Sequence, residues 1–140
     1  ADLNSQNAVI AGGVSAVDLG PENDINWLLS QNGGSDAERW WGATRYETAA
    51  TVAQNGIDAG WGTPAFVGIT TGTNFPDALG GGAVCGSSGG VMLLTSGTAL
   101  SPEAASFLTT HSGRIMDIEI FGGLNAVSDA VKDAADSLIE

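Results

Sequence analysis

One stretch of this chain is written twice. Ala8-Val9-Ile10-Ala11-Gly12-Gly13-Val14-Ser15-Ala16-Val17-Asp18 returns as Ile118-Glu119-Ile120-Phe121-Gly122-Gly123-Leu124-Asn125-Ala126-Val127-Ser128, at a constant displacement of 110 residues (Gly12 to Gly122, Val17 to Val127). The phase holds further on, where Ile25, Leu28 and Leu29 fall on Ala135, Leu138 and Ile139. Each copy reads as a short strand, a Gly-Gly turn and a helix, a unit that cannot bury its apolar face alone. Self-similarity of this kind is the mark of an array of repeated modules. The 140 residues hold about one period and a spare strand-helix unit. Residues 1–34 are expected to be the tail of a preceding repeat packed on the same domain, and residues 35–140 one full repeat. An architectural or binding role follows before any site is considered.

Charge narrows the partners. Sixteen acidic residues against four basic ones give a net charge of −12. Nucleic acid needs a concentrated Lys/Arg surface, and only Arg39, Arg45, Arg114 and Lys132 exist. Anionic membrane surfaces are disfavoured on the same ground. The carboxylates are scattered, match no calcium-loop pattern and read as a solubility device, so no metal site is expected. Cys85 is the only cysteine, which rules out an intrachain disulfide or a cysteine metal cluster. No apolar run approaches membrane-spanning length. The opening Ala1-Asp2-Leu3-Asn4 carries no basic or long apolar leader, and the expectation is a soluble chain with no membrane insertion.

The pass along the chain alternates strands and helices. Ala8–Ala11 is a strand, and Gly20-Pro21-Glu22 opens a helix that Gly33-Gly34 ends. Thr44-Arg45-Tyr46-Glu47 has the form of a capping box opening a helix through Ala49, Ala50, Ala53 and Ile57. Ala65–Thr70 is an apolar strand. A small-residue helix follows over about Ala78–Cys85, where Gly80, Gly81 and Gly82 each cost about 1 kcal/mol against alanine. Something must approach that backbone closely. Val91–Leu94 is a buried strand, and Ser101-Pro102-Glu103 opens the next helix, which Gly113 stops. Ile118–Phe121 and a helix over Ser128–Ile139 complete the second copy. The fold class expected is α/β, a mostly parallel sheet with helices on both faces in a Rossmann-like or Toprim-like three-layer sandwich.

Enzyme chemistry finds little support. Gly12-Gly13 lacks the spacing of a dinucleotide fingerprint and no P-loop element exists. Gly86-Ser87-Ser88-Gly89 reads as a helix-ending turn, since a serine without a base is no nucleophile. His111, the sole histidine, sits near a helix end where it is expected to meet helix carbonyls. Cys85 reads as a buried structural thiol. No catalytic residue and no cofactor are assigned. The turns at Gly12-Gly13, Gly72-Thr73-Asn74, Thr95–Thr98 and Gly122-Gly123 share the carboxyl edge of a parallel sheet. Ligands of open α/β folds bind at that edge, and helix N-termini there attract anions. Asp77 reads either as a helix-start cap or as a partner of Arg45. Trp40-Trp41 and Trp61 read either as core or module-interface packing or as a carbohydrate-stacking platform.

Four ordered motifs carry a family resemblance. Arg39-x-x-Gly42-x-x-Arg45-Tyr46-Glu47-Thr48-Ala49 resembles the opening signature of the type-2 cell-wall-binding repeats, and Thr71-Gly72-x-Asn74-Phe75-Pro76-Asp77-Ala78-Leu79 is similar to their central motif. Met92-Leu93-Leu94-Thr95 and Ile120-x-Gly122-Gly123-x-x-Ala126-Val127-Ser128 resemble the third and fourth. The resemblance implies a bacterial surface protein outside the cell, often with three such repeats in tandem, held non-covalently to the wall through an anionic polysaccharide or teichoic-acid-like polymer. It implies Arg45, Asn74, Asp77, Gly122 and Gly123 as polymer-binding positions, and Tyr46, Leu93, Leu94, Trp40 and Trp41 as module-packing positions. Neighbouring repeats of the same chain are implied partners, and a homo-oligomer is a further expectation. Two other classes stay open: a repeat-assembly module that binds no polymer, and a small-anion-binding α/β domain.

Overall fold

The computed structural model describes residues 4–139. Ala1-Asp2-Leu3, read above for its lack of a leader, lies outside the described residues. Strands and helices alternate as β1 (Val9–Ala11), α1 (Leu19–Gln31), β2 (Glu38–Trp40), α2 (Arg45–Asp58), β3 (Phe66–Thr71), α3 (Pro76–Ser87), β4 (Val91–Thr95), α4 (Pro102–His111), β5 (Asp117–Phe121) and α5 (Asp129–Asp136). Every ladder is parallel, and the fold is α/β as expected.

The strands divide into two sheets. β3 is central in the order β4-β3-β5, with Ile69 opposite Leu93 on one side and Ile120 on the other. Alternation along β3 sends Val67 and Ile69 to one face and Gly68 and Thr70 to the other. The first face meets Ala53 of α2, Ala104, Phe107 and Leu108 of α4, and Val131 and Ala135 of α5, and this is the core. The second face takes α3. A Cβ on Gly68 would lie 2.4 Å from Cys85 Sγ, and one on Gly81 would lie 2.6 Å from Met92 Cε and Phe121 Cγ. Close approach accounts for Gly81 as expected, but a Cβ on Gly80 or Gly82 would meet nothing within 4 Å.

β1 and its helix stand apart from that sheet. β1 pairs with β2 alone, in the register Val9–Glu38, Ile10–Arg39, Ala11–Trp40. β2 is a strand that the residue pattern of Glu38–Trp40 does not predict. The α1 start moves back to Leu19, because Asp18 Oδ1 accepts the Gly20 N–H at 2.9 Å. α3 is longer than expected and α5 shorter, and α4, which Gly113 was expected to stop, ends at His111, with Gly113 inside the 3-10 turn Ser112–Arg114 that follows.

The written repeat is also a repeat in space. Gly12 has φ +129° and Gly122 has φ +125°. In the first copy the Ala16 and Val17 N–H groups donate to the Gly13 carbonyl at 2.9 and 3.0 Å, and in the second Ala126 and Val127 donate to Gly123 at 2.7 and 3.0 Å. Positive φ at the first glycine of each turn is a conformation that residues with a Cβ rarely adopt.

Candidate functional site

The start of α2 is built by its capping box. Thr44 Oγ1 accepts the Glu47 N–H at 3.1 Å, and the Glu47 carboxylate turns back to accept the Ala43 N–H at 2.7 Å. Gly42 is required there, since a Cβ would fall 2.3 Å from Glu47 Cγ. The cap places Arg45 at the first helical position, exposed, with its Nη1 donating to the Gly72 carbonyl at the end of β3. Among the described residues Arg45 has no carboxylate partner; the ion pairs there are Arg39–Glu22 and Lys132–Asp136.

Arg45 lies on the rim of a cleft of about 780 Å³. One wall is the Gly12–Ala16 turn with Arg39 and Trp41, and the other is α2 and β4, through Thr48, Val52, Met92 and Leu94. Apolar surface thus flanks a single unpaired guanidinium at the N-terminus of a helix, where the macrodipole also favours negative charge. Such a cleft can hold an anionic group beside a sugar ring or an aliphatic stretch.

The other expected residues distribute unevenly. Arg45, Trp41 and Leu94 line the cleft. Asn74 is exposed on the β3–α3 loop. Asp77 takes neither expected role among the described residues: α3 has no side-chain cap, and no ion pair joins Asp77 to Arg45. Instead its carboxylate packs on Gly122, where a Cβ would lie 2.9 Å from Asp77 Oδ2. Gly123 is exposed, Tyr46 leans on Gly72, and Leu93 is buried in the core.

The tryptophans do not form one platform. Trp40 and Trp41 are consecutive at the end of β2 and point to opposite sides. Trp40 is buried and its ring lies 5.0 Å from that of Trp61, whereas Trp41 faces the cleft and Gly13.

The histidine and the cysteine lie away from the cleft. His111 Nε2 is 2.9 Å from Gln54 Oε1 on α2 and its ring packs, tilted by 48°, against Phe107, so its partner is a neighbouring helix and not the carbonyls of α4. Burial, with Arg114 adding to it, pushes its pKa below the ordinary 6.5. Burial pushes the Cys85 thiol up, the opposite of what a reactive thiolate needs. Among the described residues no cluster of His, Cys, Asp and Glu could hold a metal ion. Among the described residues no helix is long and apolar enough to cross a membrane.

Arg39 holds the edge of the fold together. Arg39 Nη1 donates to the carbonyls of Gly12 at 2.6 Å and Val17 at 3.0 Å, while Nη2 donates to Glu22 Oε2 at 2.7 Å. It ties β2 to the turn and helix that follow β1. The signal available was its position at the head of the first motif, next to a spare unit that needed a holder.

Known proteins share this organisation. The family model described as cell wall binding domain 2 matches residues 39–132. Among solved structures, Cwp6 from Clostridium difficile superimposes with a TM-score of 0.77 at 18% identity, over 97% of this chain and 20% of that one. At that identity the likeness speaks for the fold. No curated protein matches the chain.

Proposed function

Because the chain belongs to the cell wall binding domain 2 family, we propose that it is a non-catalytic module that anchors a bacterial surface protein to the cell wall by gripping an anionic secondary wall polymer. The polymer is an acidic polysaccharide or a teichoic-acid-like chain, and the module works outside the cell. The observation that carries this reading is the position of Arg45, unpaired, at the start of α2 on the rim of an apolar cleft. In a chain of net charge −12 the attraction is local, so binding weakens as salt screens it. One such contact is weak. Repeats linked in tandem raise the effective concentration of the second site once the first is engaged, which turns weak sites into a firm anchor.

Titration of purified wall polymer tests the assignment. Arg45→Ala should weaken binding by about tenfold, the loss of one charge-assisted contact, while the melting temperature falls only slightly because the hydrogen bond to Gly72 that is lost with it is exposed. Equal binding by the variant and the parent chain would move the polymer site elsewhere. A pure assembly module would ignore the polymer and associate with itself as concentration rises.

A further inference from the structure

The two copies of the repeated unit are finished differently. At the first, β2 lies on the outer edge of β1, the Gly12 N–H donates to the Trp40 carbonyl at 2.9 Å, and Trp41 covers the turn so closely that a Cβ on Gly13 would sit 3.3 Å from its ring. At the second, β3 holds one edge of β5, no strand lies on the other among the described residues, and a Cβ on Gly123 would meet nothing within 4 Å. The core-facing sides are covered unequally, although Leu29 is buried and its counterpart Ile139 also packs against the core. Ala135 and Leu138 of the second copy pack into the core, whereas at the matching places in the first copy Ile25 is half-buried and Leu28 is 56% exposed. What each copy lacks, the other has.

We propose that these are the two sides of one joint: in an array, the outer edge of β5 takes the strand of the following repeat that corresponds to Glu38–Trp41 here, and the residue at the place of Arg39 latches it. The register follows from the equivalence of the copies. Glu119, Ile120 and Phe121 would face the counterparts of Glu38, Arg39 and Trp40, because Val9, Ile10 and Ala11 do so in the first copy. The resulting sheet runs β4-β3-β5 and then the next repeat's strand, parallel throughout. An unpaired parallel edge of a buried-type sheet is a template for such addition.

The latch also selects its partner. Arg39 rests on Glu22, and the residue at the matching place in the second copy is Lys132, which is already paired with Asp136. A second copy of this chain seated on β5 would therefore bring Arg39 against Lys132. The C-terminal edge is built for a neighbour without a cation at that place, and against self-association. This inference is independent of which polymer is bound.

Native-state amide exchange on the full chain tests the latch. Amides of Val9–Ala11 and Glu38–Trp40 should exchange about tenfold faster in Arg39→Gln and in Glu22→Gln, with those of Val67–Thr71 unchanged. A second test uses a peptide of sequence Ser35–Thr44 added to the full chain at millimolar concentration. It should shift the amide signals of Asp117–Gly123 in the Lys132→Glu chain, with about tenfold weaker binding to the parent chain. Unchanged exchange in both variants, loosening that spreads through β3–β5, or no peptide response in either chain would each overturn the joint.

Discussion

The carbonyl of Gly72 accepts a hydrogen bond from Arg45 Nη1, which ties the first residue of α2 to the end of β3 and fixes the guanidinium on the cleft rim. A Cβ at Gly72 would stand 2.7 Å from Tyr46 Cε1 and 3.0 Å from Arg45 Cδ. Gly72→Ala should therefore push Arg45 off its carbonyl. Stability is expected to fall by about 1 kcal/mol from the crowding, and polymer affinity by more than that loss explains. Urea unfolding beside polymer titration separates the two.

Gly68 offers a sharper packing test. It lies fully inside, and a Cβ there would be 2.4 Å from Cys85 Sγ and 2.8 Å from Phe121 Cε2. Gly68→Ala is expected to destabilise by about 1–3 kcal/mol, as overpacking of a filled core does. Adding Cys85→Ala should recover part of the loss, because it vacates the space that the new methyl needs. Denaturant midpoints of the single and double variants give the coupling.

Much of this arrangement was legible from the residues because it is set locally. The Thr44–Glu47 cap, the Ser101 cap and the paired Gly-Gly turns each depend on side chains and dihedrals within a few positions, and each forms. β2 was not legible. Glu38-Arg39-Trp40 shows no apolar alternation, and it is a strand because β1, 29 positions earlier in register, lies beside it. The Arg39–Glu22 pair and the division into two sheets are distant in sequence for the same reason. Asp77 shows the limit in the site. Its place at a helix start suggested a cap, but the loop from β5 brings Gly122 against it instead.

The cap at α2 carries a separate expectation. Thr44 Oγ1 accepts the Glu47 N–H and donates to Glu103 Oε1 at 3.4 Å, joining α2 to α4. Thr44→Ala should cost about 1 kcal/mol, and Thr44→Ser, which keeps the oxygen, much less. Thermal unfolding of the pair of variants checks this.

His111 sets a pH dependence. Its pKa is lowered in the folded protein, chiefly by burial and secondly by Arg114, so the unfolded chain binds a proton more readily. The stability tied to neutral His111 is whole above the unfolded value of 6.5 and is lost as pH falls through it towards the lower folded value. Melting temperatures taken across that window should decline in the parent chain and decline less in His111→Gln.

The central claim is that the chain grips an anionic polymer of the wall, and sedimentation with isolated cell walls tests it most directly. Walls are used intact and after chemical removal of their anionic polymers, with the parent chain and Arg45→Ala side by side. The parent chain should be retained on intact walls, released by polymer removal, and retained more weakly when Arg45 is lost. Retention that survives removal of the polymers would contradict the account and place the anchor on another component of the wall.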